Sequence, residues 1–239
     1  LADINLSIPD GEFACIIGEN GSGKTTLLKV IVGSYPVSAG QVMLMDRDIT
    51  NLPEHLRARH LSMVSQQPGS RLAASLTIEQ NMAMVAIPDR EWWRFAINKD
   101  LRNRFREVLR PLGLGLEDRL RSKVFELSGG QVQALTLAMT VGFLKPSLLL
   151  LDEHCAALDA VMSDKVMALT NSVCKGQSGA VIMVTHNFEH AAAYGDRLII
   201  MHAGSIAEDV GGLTKQAMSP RDVFDRFMDS RSRGNAGGT

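Results

Sequence analysis

The 239-residue sequence is poor in aromatics, which make up 5% of it, with two tryptophans and two tyrosines. It holds three cysteines, Cys15, Cys155 and Cys174. An odd number without metal-ligand spacing excludes a disulfide framework and a cysteine-based zinc site. The opening residues do not read as a secretory signal, so a reducing cytoplasm is the expected compartment. Charge of either sign is not in excess: 25 Lys and Arg against 26 Asp and Glu leave a formal net charge of −1. Nothing there resembles the basic footprint of a nucleic-acid-binding protein, and no nucleic-acid partner is expected. Long apolar runs are missing too. Leu148–Leu151 and Val181–Val184 are strand-sized and far short of a membrane span. The chain is therefore expected to be soluble, or to meet a membrane only peripherally and through a partner. It opens on Leu1 and not on methionine, from which a natural N-terminus further upstream is expected.

A hydrophobic content of 45% fits a packed globule. The length suits one large α/β domain, or a core domain with an inserted subdomain. The informative stretch is Cys15-Ile-Ile-Gly-Glu-Asn-Gly-Ser-Gly-Lys-Thr-Thr26. It passes from an apolar strand through a glycine-rich turn into Leu27–Ile31, the start of a helix, which is the setting a phosphate-binding loop requires. Gly18, Gly21 and Gly23 let the backbone curl with its N–H groups inward, and the helix aims its positive end at the same point. Glu19, Asn20, Ser22 and Thr26 complete the loop. Lys24 adds a point charge for terminal phosphates, and the Thr25 hydroxyl is placed to hold Mg²⁺. A glycine-rich turn that merely precedes Lys-Thr is the bland alternative. At average residue frequencies it arises in about one chain of this size in a hundred.

Along the chain, Leu1–Glu12 alternates like a strand leading into a turn at Pro9–Gly11, and Thr25–Val32 reads as a helix closed by Gly33. Gly40–Ile49 gives a strand, a turn and a short strand. Leu52–His60 is a short helix, and Leu61–Ser65 a strand ending at Gln66. From there to Lys145 the pattern is helical, with Thr77 capping Ile78–Val85 and a charged amphipathic stretch over Arg90–Leu109. A helix is expected over Val132–Val141. Leu148–Leu151, ending in Asp152-Glu153, is a strand buried on both faces. Ala160–Cys174 is a helix, Ala180–Thr185 a buried strand ending on His186, and Phe188–Tyr194 a helix. Arg197–Met201 and Ser205–Ala207 form a hairpin. Ser219-Pro220 starts a helix, and disorder is expected from Ser230.

Leu127-Ser128-Gly129-Gly130-Gln131 narrows the class, because it matches the signature sequence of ATP-binding cassette (ABC) ATPases, and the other motifs of that family stand in order around it. Gln66 resembles the Q-loop glutamine and Leu148–Asp152 the Walker B strand. Glu153 resembles the catalytic glutamate, Ala156-Ala157-Leu158-Asp159 the D-loop, and His186 the switch histidine. The resemblance implies a single ABC nucleotide-binding domain over 1–239. Its α/β P-loop core and small antiparallel β subdomain would cover 1–66 and 146–218, and an inserted helical subdomain 67–145. A C-terminal helix and tail would cover 219–239.

The resemblance also implies ATP and Mg²⁺ as cofactors. Thr25, Gln66 and Asp152 would attend the metal, Glu153 would act as general base, and His186 would contact the γ-phosphate. Ser128, Gly129, Gly130, Gln131 and Asp159 would meet the nucleotide of a second subunit. A homodimer or paired ATPase subunit, a membrane permease and, indirectly, a substrate-binding protein are the implied partners, at the cytoplasmic face of the inner or plasma membrane. Leu112–Leu120, Asp152–Asp159, Val184–Asn187 and Tyr194–His202 look like a bacterial importer group associated with tryptophan- and tyrosine-type substrate-binding lipoproteins.

An aromatic residue that stacks on adenine is expected upstream of Leu1. Two departures stand out: Val132 where Arg or Lys usually follows the signature, and His154-Cys155 where Pro-Thr usually follows the glutamate. A weakly hydrolysing nucleotide-binding regulator and an exporter ATPase are the alternatives to an importer ATPase. Trp92 and Trp93 either pack locally or form a patch facing a permease.

Overall fold

The computed structural model describes residues 1–65, 72–87, 97–156, 158–175 and 179–236, with the backbone alone at 173–175 and 233–236. Gln66, Trp92, Trp93 and Ala157 lie outside the described residues, as does the side chain of Cys174. In chain order the elements are β1 (Phe13–Gly18), α1 (Lys24–Val32), β2 (Met43–Leu44), β3 (Arg47–Asp48), α2 (Glu54–Arg57) and β4 (Leu61–Val64). Next come α3 (Ile78–Ala86), α4 (Lys99–Leu109), α5 (Gly129–Met139), β5 (Leu148–Asp152) and α6 (Ala160–Lys175). The remainder is β6 (Ala180–Val184), α7 (Phe188–Ala193), β7 (Arg197–His202), β8 (Ser205–Gly211), α8 (Gly212–Gln216) and α9 (Pro220–Ala236). Two compact units result. The first holds Leu1–Met63, Pro146–Glu153 and Cys174–Thr239, the second Val64–Lys145 and His154–Val173.

The first unit is built on a six-stranded sheet ordered β4-β5-β6-β1-β7-β8. β1 runs parallel to β6 and β7, β5 runs parallel to β6, and β7 and β8 form an antiparallel hairpin. Every residue of β5 and β6 is buried, which is why both read as unbroken apolar runs and not as alternating ones. The core gathers Ala14, Ile16, Leu28, Leu150, Val184 and Ile199. β2 and β3 make the small antiparallel sheet. The end of α1 is fixed by Arg57, whose buried guanidinium donates to the carbonyls of Val30, Ile31, Thr50 and Leu52 at 2.7–2.8 Å. Val30 O also accepts from Gly33 N–H, whereas Ile31 lies in the last turn of α1, where a helix leaves carbonyls without an intrahelical donor.

The second unit packs Ile78, Met82, Phe105, Leu109, Leu116 and Leu135 into its own core. α3 begins on the Thr77–Gln80 capping box. α5 passes into a single π turn over Thr140–Leu144.

Several expectations are corrected. Leu1–Glu12 contains no strand. Its alternation still buries Ile4, Leu6 and Ile8 against the core, but it is tied by isolated bonds, Ala2 N–H to Gly204 O and Arg197 Nη1 to Ser7 O, and not by a ladder. α5 starts three residues before Val132, because Ser128 caps it. The β7–β8 hairpin is longer than expected, with a bulge at Ile200/Met201. The chain beyond Ser230 is helical to Ala236. Ser230 is itself buried and donates to Phe227 O.

Candidate functional site

β1 delivers the glycine-rich loop and α1 leaves it, so the loop lies at the carboxyl end of a central parallel strand. This is where open α/β sheets bind ligands. Gly23, with φ +101°, caps α1 in the left-handed region. A Cβ on Gly18 would stand 2.4 Å from Met201 O and 2.6 Å from Ser22 Oγ; only glycine lets β1 enter the loop so close to β7. Lys24 is buried and folds back over the loop, donating to Gly18 O and Glu19 O at 2.8 Å each. Burial lowers its pKa, against the opposing pull of Glu153, Asp152 and Glu19. Ser22 Oγ is buried and finds no hydrogen-bond partner among the described residues. A loop with a desolvated cation and an orphaned hydroxyl is a cradle that an anion would complete.

Asp152, the last residue of β5, brings its Oδ1 to 3.5 Å from Thr25 Oγ1. Burial, and then the adjacent Glu153 carboxylate, push its pKa up; the Thr25 hydroxyl, Lys24 and Lys29 pull the other way. A hydroxyl and a crowded carboxylate are hard oxygen donors that suit Mg²⁺, and a dication there would relieve the crowding. No group of three or more His, Cys, Asp or Glu among the described residues could hold a metal alone. The pair therefore fits an ion shared with phosphate oxygens, the usual state of Mg²⁺ in such sites.

Glu153 sits at φ +47°, left-handed for a non-glycine residue, and its N–H continues the β5–β6 ladder to Val184 O at 3.0 Å. That turn swings the carboxylate out of the strand line to 3.4 Å from His186 Nδ1. His186 follows β6, and Asn187 behind it caps α7 by accepting from His190 N–H.

In the second unit Ser128 and Gln131 form a reciprocal capping box at the start of α5. Gly129 and Gly130 are its first helical residues, so their N–H groups are among those an α-helix leaves without an internal acceptor. Asp159 caps α6, its Oδ1 accepting from Met162 N–H at 3.0 Å. Of the sequence-derived residues, the first unit thus joins Lys24 to Gly18 and Glu19, Thr25 to Asp152, and Glu153 to His186. Ser128–Gln131 and Asp159 sit at two helix starts of the second unit. Gln66 is outside the described residues.

Both departures from the family pattern have packing explanations. Val132 is buried in the second core, where an unpaired cation would be costly. His154 is buried with Nε2 3.1 Å from Thr170 Oγ1, and that hydroxyl already donates to Val166 O, so Nε2 carries the proton. Cys155 is buried and its thiol is pushed up to about 12.

One neighbour of the loop has no signal in the sequence. The guanidinium of Arg231, on α9, forms an ion pair with Glu19. A Glu–Arg pair separated by most of the chain carries no periodic signal.

A Gly-rich loop between strand and helix, a lysine over it, and a hydroxyl–carboxylate pair beside it define a P-loop nucleoside triphosphatase. Comparison with known proteins makes this specific. Residues 1–156 match the ABC transporter family. The chain is 38% identical over 228 residues to a tyrosine transport ATP-binding protein of Clostridioides difficile (strain R20291), covering 94% of this chain and 89% of that protein. It is 33% identical to the spermidine/putrescine import ATP-binding protein PotA of Haemophilus ducreyi over 94% of this chain and 55% of that one, so it spans about half of that relative's length.

The post-hydrolysis dimer of an ATP-binding cassette bound to ADP and Pi superposes with a TM-score of 0.70 at 29% identity, covering 87% of this chain and 88% of the other. A nucleotide-free cassette from an ABC transporter shares the fold, at a TM-score of 0.74 and 21% identity, over 95% and 90% of the two chains. This chain belongs to the ABC transporter family and is an ATPase.

Proposed function

We propose that this protein is the MgATP-hydrolysing subunit of an importer, and that ATP closes two copies, or this chain and a paired ATPase, around the nucleotide. The observation that carries the reading is the convergence of Thr25–Asp152 and Glu153–His186 on one phosphate loop. The spermidine/putrescine import name of one relative supports the direction of transport, and the tyrosine transport name of another supports a transport role. Among the described residues no helix is long and apolar enough to cross a membrane, which accords with a peripheral subunit working through a permease. A substrate-binding protein would deliver cargo to that permease.

In this reading the amides of Glu19–Thr26 and the Lys24 ammonium hold the triphosphate. Thr25, Asp152 and, as the family resemblance implies, Gln66 would attend a magnesium ion, which when bound would supply charge neutralisation at the transferring group. Glu153 accepts a proton from the attacking water, and His186 orients that water and the γ-phosphate. The bond to the bridging oxygen breaks, leaving ADP and phosphate. Ser128, Gly129, Gly130 and Gln131 of one copy present a helix N-terminus to the γ-phosphate held by the other, with Asp159 nearby.

Substitution of Lys24 and of His186 tests these roles. Lys24→Ala strips a cation from the phosphates and is expected to abolish tight MgATP binding. His186→Ala is expected to bind MgATP nearly as the parent does and to release phosphate about 10²-fold more slowly. Nucleotide titration and single-turnover phosphate release check this; equal loss of binding in both variants contradicts the assignment.

A further inference from the structure

α9 is anchored at its start and reaches the nucleotide loop at its end. Ser219 and Asp222 cap it reciprocally, Val223 is fully buried, and Arg226 pairs with Glu208 on β8. Further along, Phe227 packs on Phe188 with ring centroids 5.3 Å apart, and Phe224 meets the same ring edge-on at 5.5 Å. Phe188 is two residues beyond His186 and begins α7. One turn on from Phe227, Arg231 pairs with Glu19. Gly18–Asn20, His186, Phe188 and Phe227 together line a cavity of about 440 Å³. One helix thus touches both the phosphate loop and the segment carrying His186.

We propose that α9 is a positioning element of the ATP site, with Arg231 serving nucleotide binding and Phe227 serving turnover. The proposal rests on the ATPase reading above. Glu19 places a carboxylate in a loop assigned to a polyanion, and without a counter-charge it would repel the phosphates. Arg231 neutralises it, and acts on the bound anion through that carboxylate. Both side chains are well exposed, 45% for Arg231 and 35% for Glu19, so their pairing contributes little to fold stability. Its consequence falls on the bound anion. Phe227 acts differently: it backs the Phe188 ring and so restricts the His186 segment, whose place matters for the reacting γ-phosphate.

The test uses the full chain, a fluorescent ATP analogue for affinity, and phosphate release at saturating MgATP for kcat. Arg231→Ala is expected to weaken nucleotide binding about threefold at low ionic strength, less at high salt, with the melting temperature retained. In a Glu19→Ala background the same substitution is expected to change affinity by less than about 1.5-fold, since the pair is already gone. Phe227→Ala is expected to lower kcat about fivefold or more with affinity retained, and Phe227→Leu to recover part of it. The proposal is overturned if Arg231→Ala leaves affinity unchanged, or weakens it equally with and without Glu19. It is also overturned if Phe227→Ala leaves kcat unchanged, or if affinity, kcat and melting temperature fall together. A parent protein that binds no MgATP would instead defeat the ATPase reading itself.

Discussion

At Glu153 local backbone cost and site chemistry meet. A non-glycine residue at φ +47° stores on the order of 1 kcal/mol, and here the strain aims the carboxylate at His186 and away from the strand. Its neighbour Asp152 carries a second cost. Burial and the Glu153 charge hold the Asp152 pKa above its ordinary 3.8, so the nucleotide-free fold binds that proton more tightly than the unfolded chain does. The stabilisation is full below the unfolded value and is lost as pH rises through the folded one, leaving a penalty at neutral pH. Asp152→Asn is therefore expected to raise the melting temperature of the nucleotide-free protein at pH 7 by about 2–4 °C. It is also expected to shrink the further rise produced by MgATP. Calorimetry at pH 7 and at progressively lower pH checks both, the gain shrinking as the pH falls through the raised Asp152 value toward 3.8.

At the scale of elements, the start of α5 separates two adjacent glycines by their surroundings. A Cβ on Gly129 would meet nothing within 4 Å, whereas one on Gly130 would stand 2.1 Å from Met162 Cγ on α6. Gly129→Ala should keep or raise stability, since alanine is the better helix former by up to about 1 kcal/mol. Gly130→Ala forces Met162 aside at a cost of about 1–3 kcal/mol and should melt below Gly129→Ala in the same denaturation series. The apolar pattern predicts the helix only over Val132–Val141, because glycine-glycine reads as loop; the reciprocal Ser128–Gln131 cap moves its start to Gly129. Leu148–Leu151 and Val181–Val184 are legible as strands because burial on both faces leaves a continuous apolar run. Ser219-Pro220 marks the start of α9, whereas its continuation past Ser230 to Ala236 has no apolar periodicity to signal it.

Over the whole molecule, the core of the first unit could be read from its buried apolar runs, and the order of its motifs from their resemblance to the ABC family; the loop, the Asp152-Glu153 strand end and His186 each follow a strand. What spacing could not carry is pairing across the chain: Arg57 on the end of α1, Arg231 on Glu19, and His154 buried beside Thr170. The central claim, that bound ATP joins two copies and Glu153 ends that state by hydrolysis, is most directly tested with Glu153→Gln, which keeps shape while removing the proton acceptor. Size-exclusion chromatography with light scattering is expected to give a dimer in MgATP and a monomer in MgADP. A Glu153→Gln protein that binds MgATP and remains monomeric at saturation would contradict ATP-driven pairing of this chain with itself.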